Sequence, residues 1–153
     1  MTLYLVQHGK SLPAEDGPDP GLSSEGRGDV HRIGEVAKAY GIRVDTIFHS
    51  GKKRAQETAD IFAGHLAPAG GTHRKSGLKP MDDVTRFAGL FDPNDYIMLV
   101  GHLPFMSRLA GWLVTGEADQ PVFAFQNGGI VCLDRRPDAD RWVIKWSLSP
   151  HIG

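Results

Sequence analysis

Three short, mainly apolar runs predict buried strands, and each run is followed at once by polar residues. The runs are residues 3–6, 44–48 and 96–100, which lead into Gln7-His8-Gly9, His49-Ser50 and Gly101-His102. A strand that is covered on both faces is apolar at successive positions rather than at alternate ones. The three runs therefore indicate inner strands of a largely parallel sheet.

Segments with helical spacing of apolar residues follow each of these strands. Ser23 or Ser24 is placed to cap the first helix, which is expected to end near Gly41. The second helix is predicted over residues 52–66. A third is predicted after Pro104, because proline fits the first turn of a helix, where its missing N–H costs nothing.

The rest of the chain is predicted as loops, one short helix and a final antiparallel unit. Prolines and glycines make residues 11–21 a loop and residues 67–80 a loop or a short edge element. Residues 82–90 are predicted as a short helix. Residues 122–148 are predicted as antiparallel strands, with a turn at residues 136–140.

Strands that alternate with helices predict the α/β class. The expected architecture is a three-layer α/β/α sandwich, with a mostly parallel central sheet and antiparallel edge strands. No linker, repeat or low-complexity tract divides the sequence, so residues 1–153 are expected to form a single domain. A chain of that length can bury a substantial hydrophobic core.

Composition and charge narrow the function classes. Apolar residues make up 41% of the chain and charged residues 23%, and the formal net charge is −1. This balance argues against a nucleic-acid or membrane partner, since no global field attracts an anionic surface. The one cysteine, Cys132, lies in an apolar run and is interpreted as structural. No signal-peptide pattern follows Met1, which predicts a cytoplasmic protein.

The polar residues after the three strands are expected to meet. Ligands of open α/β sheets bind outside the carboxyl ends of the strands, so His8, Ser50 and His102 should share one edge of the sheet. Arg54 begins the helix that follows Ser50 and would add positive charge there. The pattern predicts a local cationic pocket whose natural ligand is a phosphate or a carboxylate.

Five stretches, in order, resemble the motifs of the histidine phosphatase superfamily, which is also called phosphoglycerate mutase-like. They are Gln7-His8-Gly9, Leu22-Ser23-Ser24-Glu25-Gly26, Ser50-Gly51-Lys52-Lys53-Arg54-Ala55-Gln56-Glu57-Thr58-Ala59, Leu78-Lys79-Pro80 and Gly101-His102-Leu103-Pro104. The likeness covers nearly the whole chain. Its short length, without a helical insertion, resembles the SixA-type phosphohistidine phosphatases.

The resemblance implies a catalytic residue and a set of phosphate-binding residues. His8 would be the nucleophile that becomes phosphorylated, and Arg54 and His102 would hold the phosphoryl oxygens. Weaker candidates for lining the pocket are Gln7, Gly9, Lys10 and Ser50. No metal or other cofactor is implied, because phosphoryl transfer can rest on positioning and cationic donors.

The general acid is open between two neighbouring carboxylates. Asp82 and Asp83 follow the Leu78-Lys79-Pro80 motif, and either could protonate the leaving group. The alternative is that they only begin a helix, where acidic residues are favourable. His49 is interpreted as structural. His31, His65, His73 and His151 have no partner at a recognisable spacing and are expected on the surface.

Gln7 departs from the family pattern, in which the residue before the nucleophile is arginine. An amide donates a hydrogen bond but brings no charge, and one lost donor can cost roughly 10²–10³ in rate. The leading hypothesis is a phosphatase acting on protein phosphohistidine or another phosphorylated substrate. The alternative is a phosphate-binding or phosphoprotein-binding module with reduced or lost catalysis. A mutase and a metal-dependent hydrolase rank lower, since the sequence lacks substrate-enclosing insertions and metal-ligand spacings.

Overall fold

Six strands form one sheet in the computed structural model, which describes residues 1–87, 92, 94–138 and 140–152. The strands are β1 Thr2–Gln7, β2 Thr46–His49, β3 Thr72–Arg74, β4 Tyr96–Gly101, β5 Ile130–Arg135 and β6 Trp142–Leu148. Their order across the sheet is β3-β2-β4-β1-β5-β6. The strands β3, β2, β4 and β1 are parallel to one another. The strand β5 is antiparallel to both of its neighbours, β1 and β6.

Three helices cover the two faces of the sheet: α1 Ser24–Ala39, α2 Lys53–Leu66 and α3 Phe105–Thr115. Apolar side chains of α1 and α2 pack with Tyr4 and Val6 of β1. Side chains of α3 pack on the other face with Leu3 and Leu5. Because successive side chains of a strand point to opposite faces, β1 serves both cores. The structure thus confirms the α/β class and the three-layer sandwich.

The boundaries of the main elements agree closely with the sequence pattern. Ser23 caps α1, and its side chain accepts a hydrogen bond from the Gly26 amide at 3.0 Å. Gly41 follows the end of this helix with a φ of 70°, a value that glycine adopts without strain. Pro104 precedes the first residue of α3 by one position. Residues 67–80 contain the short edge strand β3, which was one of the two alternatives for this segment.

The prediction of a short helix over residues 82–90 is wrong for the part that the structure describes. This part contains only a 3-10 turn, Val84–Arg86, and residues 88–90 lie outside the described residues. The Asp83 carboxylate accepts hydrogen bonds from the Thr85 amide and hydroxyl at 2.9 and 2.8 Å. These bonds make Asp83 the N-cap of the short turn.

The prediction of antiparallel strands from residue 122 onward is wrong for its first part. Residues 122–129 form an irregular segment that crosses the end of β1, and the antiparallel pair begins at Ile130. The Gly128 amide donates to the Gln7 carbonyl at 2.9 Å, with a φ of 80° at Gly128. That left-handed conformation, which glycine adopts without strain, lies in the turn that precedes β5.

The register of the parallel strands brings their carboxyl ends to one edge. Gln7 of β1 pairs with Gly101 of β4, and His49 of β2 pairs with Val100 of β4. The residues that follow the three strands therefore lie side by side, as the sequence pattern predicts. Within the described ranges, none of the helices combines the length and the apolar character that a bilayer crossing requires.

Candidate active site

His8 follows β1, and its backbone is fixed on two sides. Its amide donates to the Gly101 carbonyl at 3.0 Å, and the Asn127 side-chain amide donates to its carbonyl at 2.9 Å. The ring Nδ1 lies 2.7 Å from the Gly9 carbonyl oxygen. Because a carbonyl only accepts, Nδ1 carries the proton and Nε2 carries the lone pair. Nε2 is therefore the ring nitrogen whose lone pair faces the site.

Arg54 brings a positive charge to that nitrogen from the first turn of α2. Its Nε donates to His8 Nε2 at 3.2 Å. Burial is the main cause that lowers the pKa of His8, and the Arg54 charge lowers it further. The hydrogen bond to the Gly9 carbonyl opposes this shift without reversing it. The ring is thus held in its neutral form at neutral pH, with a cation beside its lone pair.

His102 follows β4 and faces the same space. Its ring centroid lies 5.0 Å from that of His8, and its Nε2 lies 2.7 Å from the Ser50 hydroxyl oxygen. Burial, followed by the neighbouring His8 and Arg54, lowers the pKa of His102 to about 3. Its Nδ1 is buried and has no hydrogen-bond partner among the described residues. The site therefore holds two neutral imidazoles and one guanidinium.

This arrangement is suited to phosphoryl transfer. A lone pair on His8 Nε2 can attack phosphorus, while the guanidinium of Arg54 stabilises the negative charge on the phosphoryl oxygens. Ser50 orients the second imidazole beside them. The sequence-predicted set of His8, Arg54, His102 and Ser50 is thus brought together by the fold.

Two of the weaker candidates are engaged elsewhere. The Gly9 amide donates to the Thr58 hydroxyl oxygen at 3.0 Å, so it is already used. The Lys10 ammonium lies 3.1 Å from the Glu25 carboxylate, and both side chains are more than half exposed. Neither residue contributes a free donor to the imidazole pair in this structure.

Gln7 lies at the end of β1, beside the group that surrounds His8. Its side-chain Oε1 is buried and has no hydrogen-bond partner within the described part of the chain. The residue lines a cleft of about 430 Å³ together with Lys10, Leu103 and Asn127. The position that carries arginine in the family pattern therefore adds a polar group without charge.

Asp82, the candidate general acid, lies on the other side of the site. It lines a second cleft, of about 550 Å³, to which Ser50 also contributes. Its Oδ2 accepts a hydrogen bond from the Lys79 amide at 2.9 Å. Asp82 and Ser50 thus line the same cleft.

Two residues that position the site were not identified from the sequence. Thr58 accepts from the Gly9 amide and donates to the Arg54 carbonyl at 2.7 Å, which ties α2 to the segment after β1. Thr58 lies four residues after Arg54 in the motif, which is about one helical turn. This spacing indicates that the two side chains lie on the same face of the helix. Asn127 holds the His8 carbonyl, and Asn-Gly at 127–128 is a turn signal within the segment predicted as strand.

Histidines outside the site have partners that sequence spacing does not reveal. His31 of α1 and His65 of α2 lie 3.0 Å apart through Nδ1 and Nε2. His151 Nε2 lies 3.0 Å from the buried carboxylate of Asp29. Among the residues described, Glu25, Asp29 and His151 form a cluster of side chains that could hold a metal ion. This cluster includes neither His8 nor His102.

Solved structures with the same fold include several phosphatases. A structure of the protein histidine phosphatase SixA complexed with tungstate aligns over 98% of this chain and 97% of its own, with 20% identity and a TM-score of 0.83. A protein assigned as phosphohistidine phosphatase SixA in Agrobacterium tumefaciens aligns over 97% of both chains, with 21% identity and a TM-score of 0.78. One assigned as an α-ribazole-5'-P phosphatase in Escherichia coli covers 100% of this chain and 98% of its own, with 17% identity and a TM-score of 0.76.

Sequence comparison gives the family. No curated protein matches the chain significantly. The family model of the histidine phosphatase superfamily, branch 1, matches residues 3–82, which include His8, Ser50 and Arg54. With the match over more than half of the sequence, and the matched residues gathered around one imidazole, the chain belongs to the histidine phosphatase superfamily.

Proposed function

We propose that this chain is a phosphatase that works through a phosphohistidine intermediate on His8. The observation that carries the proposal is the geometry at Nε2: Nδ1 carries the proton because it bonds to the Gly9 carbonyl, so Nε2 has the lone pair, and the Arg54 Nε donates to it at 3.2 Å. A single catalytic domain, residues 1–153, supplies these groups. Asp82 is proposed as the residue that assists proton transfer to the leaving group.

The reaction has two displacement steps. In the first, His8 Nε2 forms a bond to phosphorus, and the bond from phosphorus to the leaving oxygen or nitrogen breaks. That atom keeps the electron pair and takes up a proton. In the second, water attacks the phosphohistidine, the P–N bond breaks, and inorganic phosphate leaves with His8 regenerated. Arg54 and His102 hold the phosphoryl oxygens in both steps.

The proposed substrate class is a protein phosphohistidine or another phosphorylated molecule. Similarity to the SixA structures, which are those of phosphohistidine phosphatases, favours the first choice. One of the similar structures is assigned as a phosphatase of α-ribazole-5'-P, a small molecule. This similarity supports including small phosphate esters among the proposed substrates. A phosphoramidate has a good leaving group, so it needs less acid assistance than an ester.

The test is turnover of p-nitrophenyl phosphate and of phosphoramidate in the presence of excess chelator. We expect turnover by the native protein and loss of at least about 10³ in rate for His8→Ala, because the nucleophile is removed. His73→Ala, which changes an exposed histidine of β3, is the matched control and should retain the native rate. Equal turnover by the native protein and His8→Ala would overturn the proposal.

The uncharged Gln7 favours a second candidate, a module that binds phosphate or phosphoprotein with little turnover. Its buried Oε1 has no hydrogen-bond partner among the described residues, and its amide brings no charge to the position that carries arginine in the family pattern. Gln7→Arg discriminates the two. A rise in rate of roughly 10²–10³ from a barely detectable level would favour the binding module. A native rate that is already fast and does not change would exclude it.

A further inference from the structure

A strongly cationic cleft opens beside the imidazole pair. It has a volume of about 550 Å³, and Ser50, which contacts His102, forms part of its wall. The rest of the wall comes from β3 and the segment that follows it. Its charged residues are the cations Arg74, Lys75, Lys79 and Arg86 and the carboxylates Asp82 and Asp83.

The carboxylates of the cleft are already used by their own segment. Asp82 accepts from the Lys79 amide at 2.9 Å. Asp83 accepts from the Thr85 amide and hydroxyl, and it lies 3.8 Å from Arg86. These contacts hold the turn together. The cleft as a whole carries an excess of positive charge.

Arg74 and Lys79 differ from several arginines of the chain in having no carboxylate partner among the described residues. Arg27, Arg32 and Arg43 each form an ion pair with a carboxylate. Over the described ranges, Arg74 and Lys79 have no such pair. A cation that lines a concave space without a counter-charge is placed to take one from a ligand.

The position of Arg74 connects the cleft to the phosphoryl site. Arg74 ends β3 and pairs in register with His49, the residue before Ser50. Its side chain lies across Gly51, where an added Cβ would be only 2.5 Å from the Arg74 Nε. With a φ of 90°, Gly51 also adopts a conformation that favours glycine. The backbone after Ser50 therefore makes room for a guanidinium directly beside the site.

We propose that this cleft binds a second anionic group of the substrate, a carboxylate or a phosphate, while the first is held at His8. The inference rests on the proposed function for the phosphoryl site and adds a requirement on the substrate. Arg74 supplies a planar pair of donors for that group, and Lys79 supplies a point charge. The anion belongs either to a small phosphorylated acid or to an acidic residue next to a phosphorylated side chain in a protein.

Equilibrium binding of phosphonates tests the cleft without relying on turnover, because the P–C bond is not hydrolysed. The first pair of probes is phenylphosphonate and 3-carboxyphenylphosphonate, measured by calorimetry. The second is a pair of short peptides that carry a phosphonate analogue of phosphohistidine, flanked by aspartate in one and asparagine in the other. We expect the native protein to bind the more anionic member of at least one pair about tenfold more tightly.

The variants Arg74→Gln and Lys79→Gln should reduce that preference to about threefold or less. Lys145→Gln is the matched control: it removes one charge from the exposed face of β6, at the opposite edge of the sheet, and should keep the preference. If only the phenylphosphonate pair shows tighter binding of the more anionic member, the substrate is a small phosphorylated acid. If only the peptide pair shows it, the substrate is a protein. Both results support the cleft.

No preference in either pair, or an equal loss of preference in the Lys145→Gln control, would overturn the inference. The same experiments test the proposed phosphatase function independently of the cleft. If His8→Ala and the native protein turn over substrates equally while the charge preference holds, the phosphatase proposal fails and the anion cleft stands. If turnover depends on His8 and the charge preference is absent, the phosphatase proposal stands and the anion cleft fails.

Discussion

At the scale of single residues, the proposed chemistry depends on keeping two imidazoles neutral beside a guanidinium. Burial lowers the pKa values of His8 and His102, and the positive charge of Arg54 acts in the same direction at both rings. A protonated His8 would have no lone pair on Nε2 and could not attack phosphorus. In the proposed mechanism, the cation that stabilises the phosphoryl oxygens thus also keeps His8 in the form that can attack.

The same lowered pKa values predict that the protein loses stability in mild acid. In the unfolded chain a histidine binds a proton near pH 6.5, whereas in the folded chain His102 stays neutral down to about pH 3. The unfolded state therefore binds more protons below pH 6.5, and the free energy of unfolding falls as the pH is lowered. His8 and His49, whose pKa values burial also lowers, add to the slope.

Urea unfolding at pH 7.0, 6.0 and 5.0 measures this slope before the carboxylates titrate. Once the pH is well below 6.5, each such histidine contributes up to about 1.4 kcal/mol per pH unit. His102→Gln, which keeps a polar side chain of similar size, should show a smaller decrease than the native protein. A free energy of unfolding that is constant from pH 7.0 to 5.0 would contradict the prediction.

At the scale of elements, the site is built from the ends of parallel strands and the first turns of the helices that follow. The glycine of the Leu22–Gly26 motif shows how closely these parts approach: a Cβ on Gly26 would collide with the backbone carbonyl of Lys10. The segment after β1 is thereby pressed against the start of α1. Thr58 holds the same segment from the side of α2 through its bond to the Gly9 amide.

Thr58→Val tests this link between α2 and the nucleophile segment. The substitution keeps the shape of the side chain but leaves the buried Gly9 amide without its acceptor. We expect a loss of about 1–3 kcal/mol in the free energy of unfolding. We also expect a lower kcat, since Gly9 positions the ring of His8 through its carbonyl. Thr58→Ser, which retains the hydroxyl, should recover most of both quantities in urea unfolding and steady-state assays; equal losses in the two variants would refute the role of the hydroxyl.

The elements that the sequence predicts well are those whose burial is uniform. The runs at 3–6 and 96–100 lie within strands that are buried at nearly every position, so burial alone accounts for their apolar residues. The run at 44–48 only overlaps β2, in which half-buried and buried residues alternate. Parallel pairing then brings His8, Ser50 and His102 together. Residues 122–129 contain β-favouring residues, but their path is set by long-range bonds such as that of Gly128 to Gln7. Local pattern carries no information on such bonds.

At the scale of the whole molecule, the site lies where two hydrophobic cores meet at one edge of a shared sheet. Phe62 belongs to the core under α1 and α2, and Phe105 belongs to the core under α3. Arg54 approaches the site from the first face, and β1 and β4 contribute side chains to both cores. Loss of packing in either core is therefore expected to displace one wall of the site. The single-domain proposal means that both cores unfold together.

Unfolding of two core variants tests whether the two faces form one cooperative unit. Phe62 and Phe105 are both fully buried, so truncation of either to alanine should cost about 3–5 kcal/mol. In a single domain, each variant shifts one common transition, and far-UV circular dichroism and tryptophan fluorescence report the same midpoint. Trp146 packs against the first core and Trp142 lies in the second, so fluorescence samples both. If Phe62→Ala produced a biphasic transition in which only one phase moved, the two faces would be separate units, and the site at their junction would be lost before the chain had unfolded.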